Sequence, residues 1–494
     1  MSNTRRAFLL GTGALAGAYA TRSYYTTPDP SGRVLDAPTN DPLLLNDASE
    51  LSPTRVAKHI TLTDRFEGPQ IEALRRELKE ARDQGRPAIA SAARHSMGGQ
   101  SMARGGTTLT MDHSWIELDT TALTYRCGAG TRWSEVIRQL DAQGFSPAVM
   151  QSNNDFGVAS TYSVNAHGWP TPFSGMGSTV QSLRMMLADG SHITCSRDEN
   201  ADIFTAAMGG YGLLGVITDM TIQMVANTRL KPTFENLPAV EFGPRFIQAI
   251  KGGGAVQMAY GRMDVTKARF FEDALMITYR PTDDQTDLPP APGSGFLSKA
   301  ARGVFRAQLG ADSAKRARWW FEAGLGPWIG GGDTTRNTLL NEPVITLDDR
   351  DDTRTDILHE YFISPDQFAA FVAACRDVIP SSYQELLNIT LRYVAPDNES
   401  WLSYAPGDRI ACVMLFSQEK THRGEADMQR MTEELIDRVL AIGGSYYLPY
   451  RLHARQDQMQ KAYPGLRPFV AKKRAMDPSN LFRHAMWDQY MARV

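Results

Sequence analysis

Residues 91–106, SAARHSMGGQSMARGG, hold the densest set of reactive and permissive groups in the chain. An apolar, strand-like run from Pro87 to Ala92 stops at Arg94-His95. Small residues follow, with glycines at Gly98, Gly99, Gly105 and Gly106. Glycine adopts dihedrals and close approaches that other residues resist, so such a loop can fold its backbone N–H groups round a phosphate. A histidine at its head is a nucleophile held beside whatever the phosphates carry. Backbone from Arg94 through Ser96, Met97, Gly98, Gly99 and Gln100 is expected to form the cradle. A second small-residue stretch, Gly157–Pro170 (GVASTYSVNAHGWP), offers Ser160, Thr161, Ser163, Asn165 and His167 as hydrogen-bonding groups for a heteroaromatic ring or a pyrophosphate.

The surrounding elements are mixed. Ile71, Leu74, Leu78 and Ala81 have helical spacing over Gln70–Gln84. Pro87–Ala92, Thr107–Asp112, Leu123–Cys127, Leu183–Ala188 and Gly215–Val225 read as strands, and Asp189-Gly190 as a turn into a strand ending near Cys195. Thr131–Gln143 and Asp202–Met208 read as helices. This is α+β rather than a βαβ array. Gly210–Gly215, GYGLLG, matches GxGxxG, but a helix precedes it and a strand follows, the reverse of a dinucleotide-binding fingerprint. Its glycines let backbone pass close to a ligand or a sheet instead.

Composition sets outer bounds. The 494 residues suffice for two or more domains, and 42% hydrophobic with 22% charged residues is ordinary globular usage. A net charge of −3 and the absence of nucleic-acid motifs point away from nucleic acid. Nine histidines and four scattered cysteines show no metal-ligand spacing, so no metal is expected. Residues 1–20 pair Arg5-Arg6 with a weakly apolar run ending in Ala18-Tyr19-Ala20, which reads as a twin-arginine export signal. A periplasmic or secreted location follows from that reading, with 21–54 as a tether. Residues 296–332 combine Lys299, Arg302, Arg306, Lys315, Arg316 and Arg318 with Trp319, Trp320, Phe321 and Trp328. That segment is either a solvated basic helix with its aromatics packed inward or a peripheral membrane contact.

Four blocks in order resemble the FAD-binding domain of the vanillyl-alcohol oxidase/p-cresol methylhydroxylase (PCMH-type) flavoproteins: Arg94–Gln100, Cys127–Val136, Asp155 through His167-Gly168 to Ser191, and Asp202–Ile222. The tail DPSNLF (Asp477–Phe482) is a weaker fifth. The resemblance implies a two-subdomain FAD-binding domain over 55–228 and an α+β substrate (cap) domain with an antiparallel sheet over 229–455. A C-terminal segment, 456–494, is then expected to return to the FAD domain. It assigns cofactor contacts to the Arg94–Gln100 loop, to Ser160, Thr161, Asn165, His167 and Gly168, and to Gly212, Gly215, Val216 and Ile217. The Arg-His-Ser form of the loop is most like sugar, alditol and aldonolactone oxidases, which implies a covalent flavin bond at His95.

The chain also departs from those oxidases. Where they carry a C-terminal His-Trp-Ala/Gly-Lys motif, it has Tyr446–Ala454, YYLPYRLHA. Where they pair Glu and Arg on one strand, it has Thr390 and Arg392. Tyr450 and His453 are therefore the candidate bases and Arg392 and Arg451 the candidate polarising groups, with Glu360 and Glu385 in reserve. The resemblance implies an exported FAD-dependent oxidoreductase that oxidises a hydroxyl-bearing substrate such as a sugar or polyol. Its electron acceptor is O₂, gated by small residues such as Ala166, or a quinone or cytochrome. The alternatives are a membrane-facing dehydrogenase or desaturase, and a secreted binding protein of the same fold.

Overall fold

The computed structural model describes residues 41–292, 306–329, 331–342 and 353–494. Strands β1 (Leu44–Leu45) and β2 (Thr54–Arg55) form a short antiparallel ribbon. Next to it β3 (Lys58–Leu62), β4 (Ala88–Ser91) and β5 (Thr107–Met111) pair in parallel in the order β3-β5-β4. Parallel pairing needs a crossover. The helix Gly68–Asp83 supplies one and buries Leu74, Leu78 and Ala81, the stripe its helical spacing predicts.

The tether reading fails for residues 41–54. Leu45 and Val56 pack on Met102, the Asp47 carboxylate accepts the Gly99 N–H at 2.8 Å, and the Ala48 N–H donates to Arg94 O at 3.0 Å. A stretch too polar to build a core of its own gains order by docking on the loop. The export signal lies outside the described residues.

The second sheet contains β6 (Ile116–Asp119), β7 (Thr124–Gly128), β8 (Phe145–Pro147), β9 (Val180–Met186), β10 (His192–Ser196) and β11 (Val216–Ala226). Its order is β10-β9-β11-β7-β6, with β8 on β11. The helix Trp133–Asp141 buries Trp133, Val136, Ile137 and Leu140.

The third sheet is antiparallel and holds β12 (Arg229–Pro238), β13 (Met258–Met263), β14 (Asp273–Pro281), β15 (Thr334–Thr335), β16 (Arg354–Ile363), β17 (Glu385–Val394), β18 (Arg409–Glu419) and β19 (Ser445–Tyr446). Its order is β15-β12-β14-β13-β17-β18-β16-β19. Side chains alternate between faces along each strand. The back face packs on the helices Phe242–Lys251, Phe368–Val378 and His422–Ala441: the Tyr361 ring lies 6.0 Å from Phe371, and His359 meets Thr432 at 3.2 Å. The front face points toward the other two sheets, where the Phe362 ring lies 5.4 Å from His167. The tail returns to β4, with Phe482 bridging Ala88 in parallel and the Ala88 N–H donating to Leu481 O at 2.7 Å.

Among the described residues of the basic segment, most cations are turned inward. Arg306, Lys315 and Arg318 are buried and pair with Asp356, Glu385 and Glu322 at 2.5, 2.7 and 2.9 Å. Only Arg316 of the described cations there is well exposed, beside Trp320 and Phe321, which are 62% and 46% exposed. Lys299, Arg302 and the Trp328 side chain lie outside the described residues. No helix among the described residues is long and apolar enough to cross a membrane.

Candidate active site

Three pieces of chain converge on the front of the third sheet: the His95 loop, the loop through His167, and the segment Tyr446–Ala454. The His95 loop owes its shape to the last of these. The Met97 N–H donates to Pro449 O at 2.8 Å, and the Gln100 amide donates to Leu448 O at 2.8 Å and Tyr450 O at 3.1 Å. A Cβ on Gly98 would stand 2.6 Å from Tyr450 O, so only glycine permits the approach. The Gly98 N–H is engaged by Gln100 Oε1 and the Gly99 N–H by Asp47, both at 2.8 Å. In this arrangement these two glycines and Met97 have their N–H groups committed to the loop's seat. Ser96 reaches Ser101, hydroxyl to hydroxyl, at 3.3 Å.

At the head of the loop, the His95 ring stacks on Phe156 at 4.1 Å, and its Nε2 lies 3.7 Å from Asp155 Oδ2. Arg94 sits in the left-handed region at φ 53°. Burial, and then the neighbouring Arg132 guanidinium, hold Arg94 below the usual arginine range. Arg132 Nη2 lies 3.5 Å from Asp112 Oδ1 and its Nη1 is buried without a partner, so the two neighbouring cations can take a further anion.

The helix Val158–Ser163 is more structural than its composition suggested. Ser160 donates to Gly157 O at 2.8 Å. Thr161 donates to Gly157 O and Gln151 Oε1 and accepts from Trp133 Nε1 at 2.8 Å. Both hydroxyls are thus engaged in holding the helix and its neighbours. Asn165, at φ 45°, accepts from the Gly177 N–H and donates to Asp397. Its bonds shape the turn that delivers His167. Gly168 is obligatory there, since a Cβ would fall 1.9 Å from Met150 O. The Gly210–Gly215 turn runs beside β4: a Cβ on Gly212, at φ 74°, would stand 3.3 Å from Ile89. Gly215 meets Met185 and Met186, and Val216 and Ile217 open β11 in register with them.

His167 Nε2 contacts Glu360 Oε1 on β16, and both side chains are 2% exposed. Tyr450 O–H donates to Glu360 Oε2 at 2.9 Å. Arg392, on β17, shares this front face. The four candidate catalytic residues therefore separate into two groups. Tyr450 and Arg392 stand around Glu360. Arg451 and His453 instead join Glu425 of the helix His422–Ala441, with His453 Nε2 at 2.9 Å from the carboxylate and its Nδ1 at 3.3 Å from Thr432. Arg451 also donates to Met97 O at 3.2 Å and Ser52 Oγ at 2.9 Å, tying the His95 loop to that helix. His453 is thus held on the helix side of the sheet, away from the Glu360 cluster. Glu385 is consumed by Lys315.

Burial sets the protonation of two histidines near these joints. It depresses His359 from 6.5 to about 3. His484, whose Nε2–H donates to Tyr211 O at 3.1 Å, falls to about 4, again through burial. Both are neutral in the fold. Because their folded values lie below the unfolded one, the stability they contribute is full above pH 6.5. It is lost as pH falls through their folded values. Melting temperature should drop between pH 6.5 and 4, and the drop should be shallower in His359→Gln.

Several buried polar atoms around the convergence have no hydrogen-bond partner: Arg132 Nη1, Ser152 Oγ, His167 Nδ1, Trp169 Nε1 and Arg392 Nε. Each such atom costs about 1–3 kcal/mol when left unpaired, so each is free to form a hydrogen bond with a polar ligand.

Residues 69–196 match an FAD-binding domain family. Over the whole fold the chain superposes on 6-hydroxy-D-nicotine oxidase from Arthrobacter nicotinovorans with a TM-score of 0.60 at 15% identity, covering 93% of this chain and 98% of that one. Residues 69–196 therefore carry an FAD-binding domain, and the chain as a whole has the PCMH-type fold of that oxidase. Among curated relatives it is 32% identical over 133 residues to an oxidoreductase of the fasciation locus of Rhodococcoides fascians (27% of this chain, 30% of that one). It is 31% identical over 119 residues to alditol oxidase of a Streptomyces species (24% and 27%) and 28% identical over 191 residues to D-arabinono-1,4-lactone oxidase of Yarrowia lipolytica (35% of each). The matched stretches span about a third or less of those relatives.

The residues present fit FAD. Arg94 and Arg132 suit its pyrophosphate, and the unpaired His167, Trp169 and Ser152 atoms suit a polar ring system. Arg132, Ser152 and Trp169 escaped sequence reasoning. Arg132 lies in the second of the four resembling blocks, and Trp169 directly follows His167-Gly168, so proximity to a matched block was the available signal.

Proposed function

We propose that this protein is an exported FAD-dependent oxidoreductase that oxidises a hydroxyl group of a small molecule. The observation that supports it most is Glu360, a buried carboxylate held between His167 and Tyr450 where the FAD-domain loop meets the front face of the cap sheet. Bound FAD supplies the two-electron acceptor for a hydride from the alcohol carbon. Glu360 is the base that takes the hydroxyl proton, replacing His453 in that role. Tyr450 and His167 fix its orientation from both oxygens, and Arg392 stabilises alkoxide character as it develops. Alcohol and lactone oxidases among the relatives favour a CH–OH substrate.

His95 is the residue for a covalent link. Its ring is held by Phe156 on one face and by Asp155 at Nε2, at the head of the cofactor loop. The expected result is an absorbance spectrum in which yellow colour stays with acid-precipitated wild-type protein and washes out of His95→Ala. Colour lost from both removes the link and keeps the flavoprotein. Protein without flavin, even after reconstitution, overturns the whole reading.

A second reading concerns the electron acceptor. The exposed Trp320 and Phe321 beside Arg316 favour an acceptor at a surface, such as a quinone or cytochrome. Anaerobic reduction by substrate followed by slow reoxidation in air and rapid reoxidation by a soluble dye would support it over O₂.

A further inference from the structure

The front face of the third sheet carries more positive charge than its carboxylates neutralise. Arg262, Thr390, Val413 and Glu360 share one lateral row across β13, β17, β18 and β16. Arg392 stands two residues beyond Thr390 and faces the same way. Arg262 donates to the Thr390 hydroxyl and lies 5.4 Å from the centre of the Tyr260 ring, while Arg392 Nε is buried without a hydrogen bond. Among the described residues neither guanidinium forms an ion pair. The nearby carboxylates are already committed: Glu360 to His167 and Tyr450, Glu322 to Arg318, Glu385 to Lys315.

The two guanidiniums also feel one another. Burial holds Arg392 below the usual arginine range; Glu360 opposes that shift and Arg262 adds to it. Holding a desolvated guanidinium without a counterion is costly. Thr390, a neutral residue, stands between them at the position where the resembling oxidases carry a carboxylate. In the flavoenzyme reading FAD's pyrophosphate is assigned to Arg94 and to Arg132, whose Nη1 is buried without a partner.

We propose that the substrate itself supplies the missing negative charge: it is a hydroxyl compound bearing a carboxylate or phosphate, clamped by Arg262 and Arg392. Planar guanidiniums pair with both anions through parallel hydrogen bonds. Trp169, stacked on Tyr260 at 4.6 Å, forms the adjoining wall. A neutral polyol leaves both guanidiniums unpaired, and a site built around charged groups rejects a ligand that leaves them so. This inference rests on the flavoenzyme reading above.

The test uses the yellow holoprotein and four probes: D-gluconate against its neutral counterpart D-glucitol, and D-glucose 6-phosphate against D-glucose. Perturbation of the flavin absorbance gives the affinity without turnover. At least one anion should bind about tenfold or more tighter than its neutral partner. Gluconate responding marks a carboxylate site, and the phosphate ester responding a phosphate site. Arg262→Gln should abolish the preference with flavin content unchanged, and Arg262→Lys should restore part of it. Equal binding of neutral and anionic probes, no response to either anion, or a preference that survives Arg262→Gln overturns the inference. Colourless wild-type protein overturns the flavoenzyme reading instead, so the two failures are distinguishable.

Discussion

Glu360→Gln is expected to slow reduction of the bound flavin by substrate by about 10²–10⁴-fold, the range lost when a positioned base is removed. The amide is nearly isosteric with the carboxylate. It can still accept from Tyr450 O–H, so the cluster stays packed and the protein stays yellow. What disappears is the carboxylate bonded to both His167 and Tyr450. Stopped-flow reduction under anaerobic conditions isolates the step from reoxidation. Two controls separate this assignment from its competitors. His453→Gln should leave the reduction rate within a few-fold of wild type, because His453 faces Glu425 and Thr432. Glu385→Gln should act on stability through Lys315 rather than on rate. A rate collapse in His453→Gln with Glu360→Gln still fast would return the base to the position its sequence suggested.

That exchange of roles shows where sequence reading stops. The elements around the cofactor loop were legible because each leaves a local trace: helical spacing over 70–84, alternation over Thr107–Asp112, a turn at Asp189-Gly190. The helix Gly68–Asp83 and the strands β5, β9 and β10 lie within a few residues of those traces. The first three of the four blocks fall in the stretch that matches an FAD-binding domain, for the same reason. The catalytic half offered no such trace. Tyr450 and His453 are three residues apart and look equivalent in sequence, yet the segment carrying them turns so that one meets the front of the sheet and the other its helices. Glu360 and Arg392 become neighbours on one face only through β18, which pairs with both β16 and β17. Part of the need for glycine was hidden for a related reason. Gly98 and Gly99 are needed because chain from the far C-terminus and from residue 47 closes on them, and neither partner is visible within the loop.

Asp477→Ala is expected to cost about 3–5 kcal/mol of stability, the penalty of stripping one partner from a buried ion pair. Lys473 and Asp477 are 0% and 1% exposed, with Nζ 2.6 Å from the carboxylate. Burial, with Arg483 and Arg474 adding to it, lowers the Lys473 pKa, and Asp477 opposes that shift; without the aspartate the ammonium keeps Asn480 at 3.0 Å and the Trp487 ring at 4.8 Å. Asp477 also accepts from the N–H groups of Leu481 and Phe482 at 2.9 and 2.8 Å, which fixes the tail that bonds Ala88 at the start of β4. Because β4 leads straight into the His95 loop, loosening this pair should weaken flavin retention as well as lower the denaturation midpoint. Adding Lys473→Met to Asp477→Ala removes the stranded charge but does not restore the backbone cap, so it should recover part of the lost stability and little of the flavin retention. Recovery of both in the double variant would make the ion pair, rather than the capped tail, the element that holds the cofactor loop in place. Denaturant unfolding followed by tryptophan and by flavin fluorescence reads the two effects separately.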